Sequence, residues 1–73
     1  MAKGCILIKT IPTATDKILG RIAKMNGVWK AYAAYGRWDI VAFIEASIEE
    51  IGKVSANINL IEGVRSTETL PQA

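Results

Sequence analysis

The sequence has no histidine and a single cysteine, Cys5, among its 73 residues. A disulfide framework within the chain is therefore excluded, as is a zinc site built from Cys and His ligands. Cys5 lies inside the apolar run "CILI" and reads as a small buried hydrophobe. Long hydrophobic runs are missing too. Nothing approaches the ~18 apolar residues of a membrane helix, and "CILI", with Lys9 following at once, is too short for a signal-peptide core. Charge of one sign is also scarce. Nine Lys and Arg against seven Asp and Glu leave a net charge of +2, and the basic residues stand singly from Lys3 to Arg65. Such spacing makes no phosphate-gripping stripe. These absences lead us to expect a soluble, cytoplasmic protein with no membrane partner and no electrostatic case for nucleic acid.

What is abundant is apolar surface. Hydrophobic residues make up 51% of a chain long enough for one domain, residues 1–73. So much apolar surface in so small a domain predicts burial against another copy of the chain.

The patterning defines six elements. "GCILIKTI" (4–11) is β-branched and apolar and ends at Pro12, which predicts a strand. Thr13 offers an N-cap, with Asp16 three residues on at the positive helix end. Ile18, Leu19, Ile22 and Met25 then share one helical face, opposite Asp16, Lys17, Arg21 and Lys24. Asn26-Gly27 stops this helix. A second strand is predicted over 28–35, a tight turn at Gly36-Arg37, and a third strand from Trp38 to Ala46. Ser47 and Glu50 form a capping box, and Ile51, Val54, Ile58 and Ile61 repeat at helical spacing up to Gly63. "VRSTETL" is the fourth strand, ended by Pro71. "MNGV" and "IEGV" occur 36 residues apart, each closing a helix and opening a strand.

The order β-α-β-β-α-β in two like halves predicts an α+β, ferredoxin-like sandwich: a four-stranded antiparallel sheet with two helices on one face. The first and third strands, the most apolar, then lie at the centre. Their residues are apolar on both sides: Ile40, Ala42 and Ile44 against Val41 and Phe43, Ile6 and Ile8 against Cys5 and Leu7. Helices cover one side only, so a sheet-to-sheet homodimer is expected on the other.

With "YGRWDIVAFIEA" across the second hairpin and "IEGVRSTETL" at the end, the chain resembles the effector-binding (RAM) domain of the leucine-responsive, or feast/famine, Lrp/AsnC transcriptional regulators. The family pattern is Gly, any residue, an aromatic, Asp, then aliphatics, followed later by Gly-Val-x-x-Thr-x-Thr. Gly36, Trp38, Asp39, Ile40 and Val41 match the first part, and Gly63, Val64, Thr67 and Thr69 the second. The helix-turn-helix of full-length regulators has no counterpart in Met1 to Gly4, so the resemblance is to stand-alone versions of the domain. It implies dimers assembling into a higher oligomer, an octamer or similar ring, with an amino acid as small-molecule effector between dimers near the hairpin turn. It also implies association with full-length family regulators and no cofactor.

The ligand-binding candidates are Gly36, Arg37, Trp38, Asp39, Thr67 and Thr69. An amino acid needs an acceptor such as Asp39 for its ammonium and unpaired N–H groups at the glycine turn for its carboxylate. Thr67 and Thr69 fall on one side of the last strand, ~7 Å apart, and Trp38 would wall the pocket. Plain structural readings stand beside these. Gly36 suits a positive φ, Asp39 suits turn amides, and Thr is an ordinary strand former. Arg37, where the family varies, pairs with the ligand carboxylate, pairs with a neighbouring subunit, or stays in solvent.

Other functions fit less well. An enzyme of the dimeric α+β barrel type shares the topology but needs an acid or base in a pocket, and only Asp39 and Glu45 lie near strand-rich sequence. An ACT-like amino-acid-binding domain pairs sheets edge to edge, which two-sided apolar central strands disfavour. A metallochaperone would need Cys-x-x-Cys in "TIPTATD". Direct DNA binding by this chain is not expected, because neither helix is free to read a groove.

Overall fold

The computed structural model describes residues 1–72. Among them the order is β1 (Ala2–Thr10), a 3₁₀ turn (Pro12–Ala14), α1 (Thr15–Ile22), β2 (Val28–Ala33), β3 (Ile40–Ala46), α2 (Ile48–Asn59) and β4 (Val64–Gln72). The strands form one antiparallel sheet in the order β2-β3-β1-β4, with β1 and β3 central as expected. This is the ferredoxin-like βαββαβ fold.

Both helices pack on one face. The core beneath them is nearly all isoleucine: Ile6 and Ile8 of β1, Ile40 and Ile44 of β3, Ile18 and Ile22 of α1, and Ile51 and Ile58 of α2. β-branched side chains are stiff and suit a pleated surface, so they fill this layer at low entropic cost. Ser47 caps α2 as its sequence predicts, its hydroxyl accepting from Glu50 N–H at 3.1 Å, but the Glu50 carboxylate takes the Ser47 hydroxyl at 3.3 Å rather than the backbone N–H of a full capping box.

Several boundaries differ from the sequence reading, each for a physical reason. Thr13 does not cap α1. Pro12 begins a 3₁₀ turn that places Thr13 in helical backbone, whereas an N-cap residue is extended. β2 stops at Ala33 and β3 begins at Ile40, so the connection is longer than a Gly-Arg turn. Ala34 N–H donates to the Asp39 carbonyl at 2.8 Å, and four residues, Tyr35 to Trp38, form the loop inside that closure. Pro71 does not end β4. It lies opposite Gly4 in the ladder, tolerated because β4 is an edge strand whose outer side needs no donor.

Three glycines, Gly27, Gly36 and Gly63, hold positive-φ conformations that other residues rarely adopt, and the last two differ in their surroundings. Gly36 has φ 112° with open space where a Cβ would project, whereas at Gly63, φ 99°, a Cβ would meet Ala14 Cβ and Ile18 Cδ1 at 3.1 Å. Gly36→Ala is therefore expected to cost about 1–2 kcal/mol from backbone strain alone. Gly63→Ala adds overpacking and is expected to cost about 3 kcal/mol. Urea denaturation of both variants checks this, and equal losses would show that the contact at Gly63 relaxes freely.

Candidate functional site

The Asp39 backbone extends the central ladder by one step, its N–H donating to the Ile8 carbonyl at 2.9 Å. Beside it the β1–β4 register shifts between Lys9 and Thr10. The Asp39 carboxylate supplies an acceptor at that irregularity: Oδ2 takes the Thr10 N–H at 2.9 Å and lies 3.6 Å from Lys9 Nζ. The Thr10 side chain, 2% exposed, in turn shares a 2.7 Å hydrogen bond with the Thr15 hydroxyl at the start of α1. Asp39, Thr10 and Thr15 thus join the β2–β3 loop, the sheet and the first helix in one hydrogen-bonded chain.

The loop itself is open. Tyr35 is 99% exposed, Arg37 is exposed and Trp38 half-buried. Among the described residues, the N–H groups of Gly36, Arg37 and Trp38 donate to no backbone carbonyl, and Asp39 Oδ1 accepts no hydrogen bond. The loop thus carries unbonded N–H donors and an unbonded carboxylate oxygen within four consecutive residues, the group types that suit an anion and a cation.

Thr67 and Thr69 are placed elsewhere. They do share one side of β4, but it is the side under α2. Asn59 Nδ2 donates to Thr67 Oγ1 at 2.9 Å, and Ser55 Oγ lies 2.8 Å from Thr69 Oγ1. Lys9 and Asp39 lie on the opposite, helix-free face, so a single chain does not bring the two threonines to the loop. Lys9 was missed in the sequence, although its signal was present: a cation at the polar end of "CILIK", on the strand expected to flank the one carrying Asp39. Cys5 occupies the helix-free face beside Phe43 and Leu70, and burial pushes its thiol pKa up, in keeping with a packing role.

No protein-family model matches the sequence, and no curated protein matches it. Solved structures do. TTHA0845 from Thermus thermophilus is 29% identical, with a TM-score of 0.95 over 100% of this chain and 94% of that one. AsnC from E. coli is 26% identical with a TM-score of 0.86, covering 97% of this chain and 50% of AsnC. PF0864 from Pyrococcus furiosus, described as a transcriptional regulatory protein of the AsnC family, shares the fold (18% identity, TM-score 0.68) over 96% of this chain and 49% of its own. The fold class is thus that of a ferredoxin-like domain making up about half of AsnC. Proteins of the AsnC/Lrp family are structural neighbours of this chain along essentially its whole length, as the resemblance of the Gly36–Asp39 and Gly63–Thr69 motifs implies.

The double bonding of Asp39 separates its structural and chemical parts by mutation. Asp39→Asn keeps an acceptor for Thr10 N–H, and the half-buried ion pair it loses is long at 3.6 Å, so it is expected to cost below about 1 kcal/mol. Asp39→Ala strands that amide and is expected to cost about 1–3 kcal/mol. Chemical denaturation distinguishes them, and equal losses would remove the structural role.

Proposed function

We propose that this chain is a non-catalytic regulatory module that binds an amino acid and works as a homo-oligomer. The observation that carries this reading is the likeness of 97% of this chain to about half of AsnC. The chemistry of the loop supports it. Asp39 Oδ1 suits a ligand ammonium, and the N–H groups of Gly36, Arg37 and Trp38 suit its carboxylate, with Arg37 able to reinforce them. The resemblance assigns Thr67 and Thr69 to such a site as well; since both lie under α2 in this chain, they would come from a neighbouring subunit, each hydroxyl retaining hydrogen-bonding capacity beyond its bond to α2.

The helix-free sheet face supports the oligomer. Cys5, Leu7, Val41, Phe43, Tyr32, Trp29 and Leu70 lie on it, with Trp29 and Tyr32 flanking the Phe43 ring at 5.6 and 6.1 Å between centroids. Trp29 is 62% exposed and Leu70 48%. The chain exposes 4810 Å², whereas a compact monomer of 7.9 kDa exposes roughly 4400 Å². A face-to-face dimer of standard size covers about 800 Å² per partner, enough to absorb that excess. The dimer assembles further into a ring such as an octamer, with the Gly36–Asp39 loops where dimers meet, and full-length regulators of the same family are its other partners. This assembly follows from the resemblance.

Two experiments test the reading. Each of the twenty amino acids is titrated by calorimetry and thermal shift into the parent and Asp39→Asn chains. At least one is expected to stabilise the parent by about 2.7 kcal/mol at 100 times its dissociation constant and to lose binding to Asp39→Asn. Failure of all twenty removes the ligand from the proposal. Light scattering at low micromolar concentration is expected to give at least twice the 7.9 kDa chain mass. Phe43→Asp, which buries an unpaired charge in the interface, is expected to abolish the dimer. A stable monomer of the parent, or an undisturbed Phe43→Asp dimer, refutes the sheet-to-sheet arrangement.

A further inference from the structure

On the helix side of the molecule a groove of about 300 Å³ runs between the start of α1 and the turn that leads into β4. Its floor is apolar, made by Ile11, Ala14, Ile18 and Ile61. Ile18 and Ile61 are buried at 1% and 6%, but Ile11 is left 40% exposed, an aliphatic side chain with no cover. The floor closes tightly because Gly63 has no side chain: a Cβ there would press on Ala14 and Ile18 at 3.1 Å.

The rim is charged. Lys17 and Arg21 stand one helical turn apart on α1, with Glu62 also lining the groove. None of the three is in an ion pair, since the single pair among the described residues is Lys9–Asp39. Two free cations against one carboxylate favour an anion, and the floor favours hydrocarbon. We propose that this groove is a small-molecule site for a carboxylate on a short apolar tail, the carboxylate held by Lys17 and Arg21 and the tail laid on Ile11 and Ile18.

Other occupants fit worse. The volume is at the lower end of small-ligand pockets, about 300–1,000 Å³. Its eight lining residues are also far fewer than the roughly 20–30 a side of a stable protein contact. Both ends of the described chain lie at the far end of the sheet, where Lys3 pairs with Gln72, so neither end segment lies beside the groove. The site is also distinct from the loop: the Asp39 carboxylate faces the helix-free side, whereas the groove is in the helix layer.

The test is amide and methyl NMR of the isotope-labelled chain during titration with 4-methylpentanoate. Saturable shifts are expected at Ala14, Ile18 and Gly63, weakening as salt rises. The uncharged 4-methylpentanamide is expected to bind at least about tenfold more weakly, as is the chain carrying Lys17→Gln and Arg21→Gln together, because each loses charge-assisted hydrogen bonds. Both substitutions are at exposed positions, and the unchanged remainder of the spectrum verifies the fold. The 2-oxo and 2-amino derivatives of the acid define the source: tighter binding of the 2-amino form adds Glu62 as partner of its ammonium. Asp39→Asn is expected to leave the groove shifts intact, whatever becomes of the loop. Absence of saturable shifts, equal binding of the amide, or loss of the groove shifts in Asp39→Asn would each overturn the proposal.

Discussion

Two helices cover one face of a four-stranded sheet and leave the other bare, and most of the molecule's composition answers to that constraint. The chain divides its apolar residues by type. Under the helices the core is built from isoleucine and alanine with no aromatic ring. On the bare face Phe43 sits between Trp29 and Tyr32. Stiff aliphatic side chains suit a thin permanent core, whereas broad rings deliver large contact area at low entropic cost and are enriched where proteins meet. The irregularity in β2 between Val28 and Lys30 serves the same end by setting Trp29 over Phe43.

At one end of this sheet the Asp39 carboxylate closes a gap in the backbone bonding of β1 with one oxygen and leaves the other unbonded. That division ties the loop's chemistry to its rigidity. A loop of exposed residues would normally be mobile, but this one is fixed through Thr10 to the start of α1. Anything that engages the free oxygen acts on a residue that is already part of the fold.

Much of this was legible in the chain. Element order, the two central strands and the two-sided apolar pattern followed from hydrophobic periodicity, because period 2 and period 3.6 are imposed by backbone geometry wherever one face is buried. The Ser47–Glu50 cap was legible because its partners are three residues apart. What escaped the sequence depended on tertiary contact. Thr67 and Thr69 bond Asn59 and Ser55 on a helix whose rotation over the sheet carries no local signal. Pro71 was misread because a proline that ends an interior strand is harmless on an edge. Thr13 was misread because Pro12 shaped the backbone before any cap could form.

The central place of β1 carries a consequence for how the protein is made. Of the four strands this one leaves the ribosome first, yet one of its two neighbours is β4, the last of them to be synthesised, and their ladder joins Lys3 to Gln72. No part of that ladder can form until both helices and the other two strands have emerged, so closing the sheet carries the entropic cost of the longest loop in the fold. Until then the apolar edge of β1, with Ile6 and Ile8, has no permanent neighbour on that side. The nascent chain is therefore most open to mispairing with other strands in the interval before β4 appears.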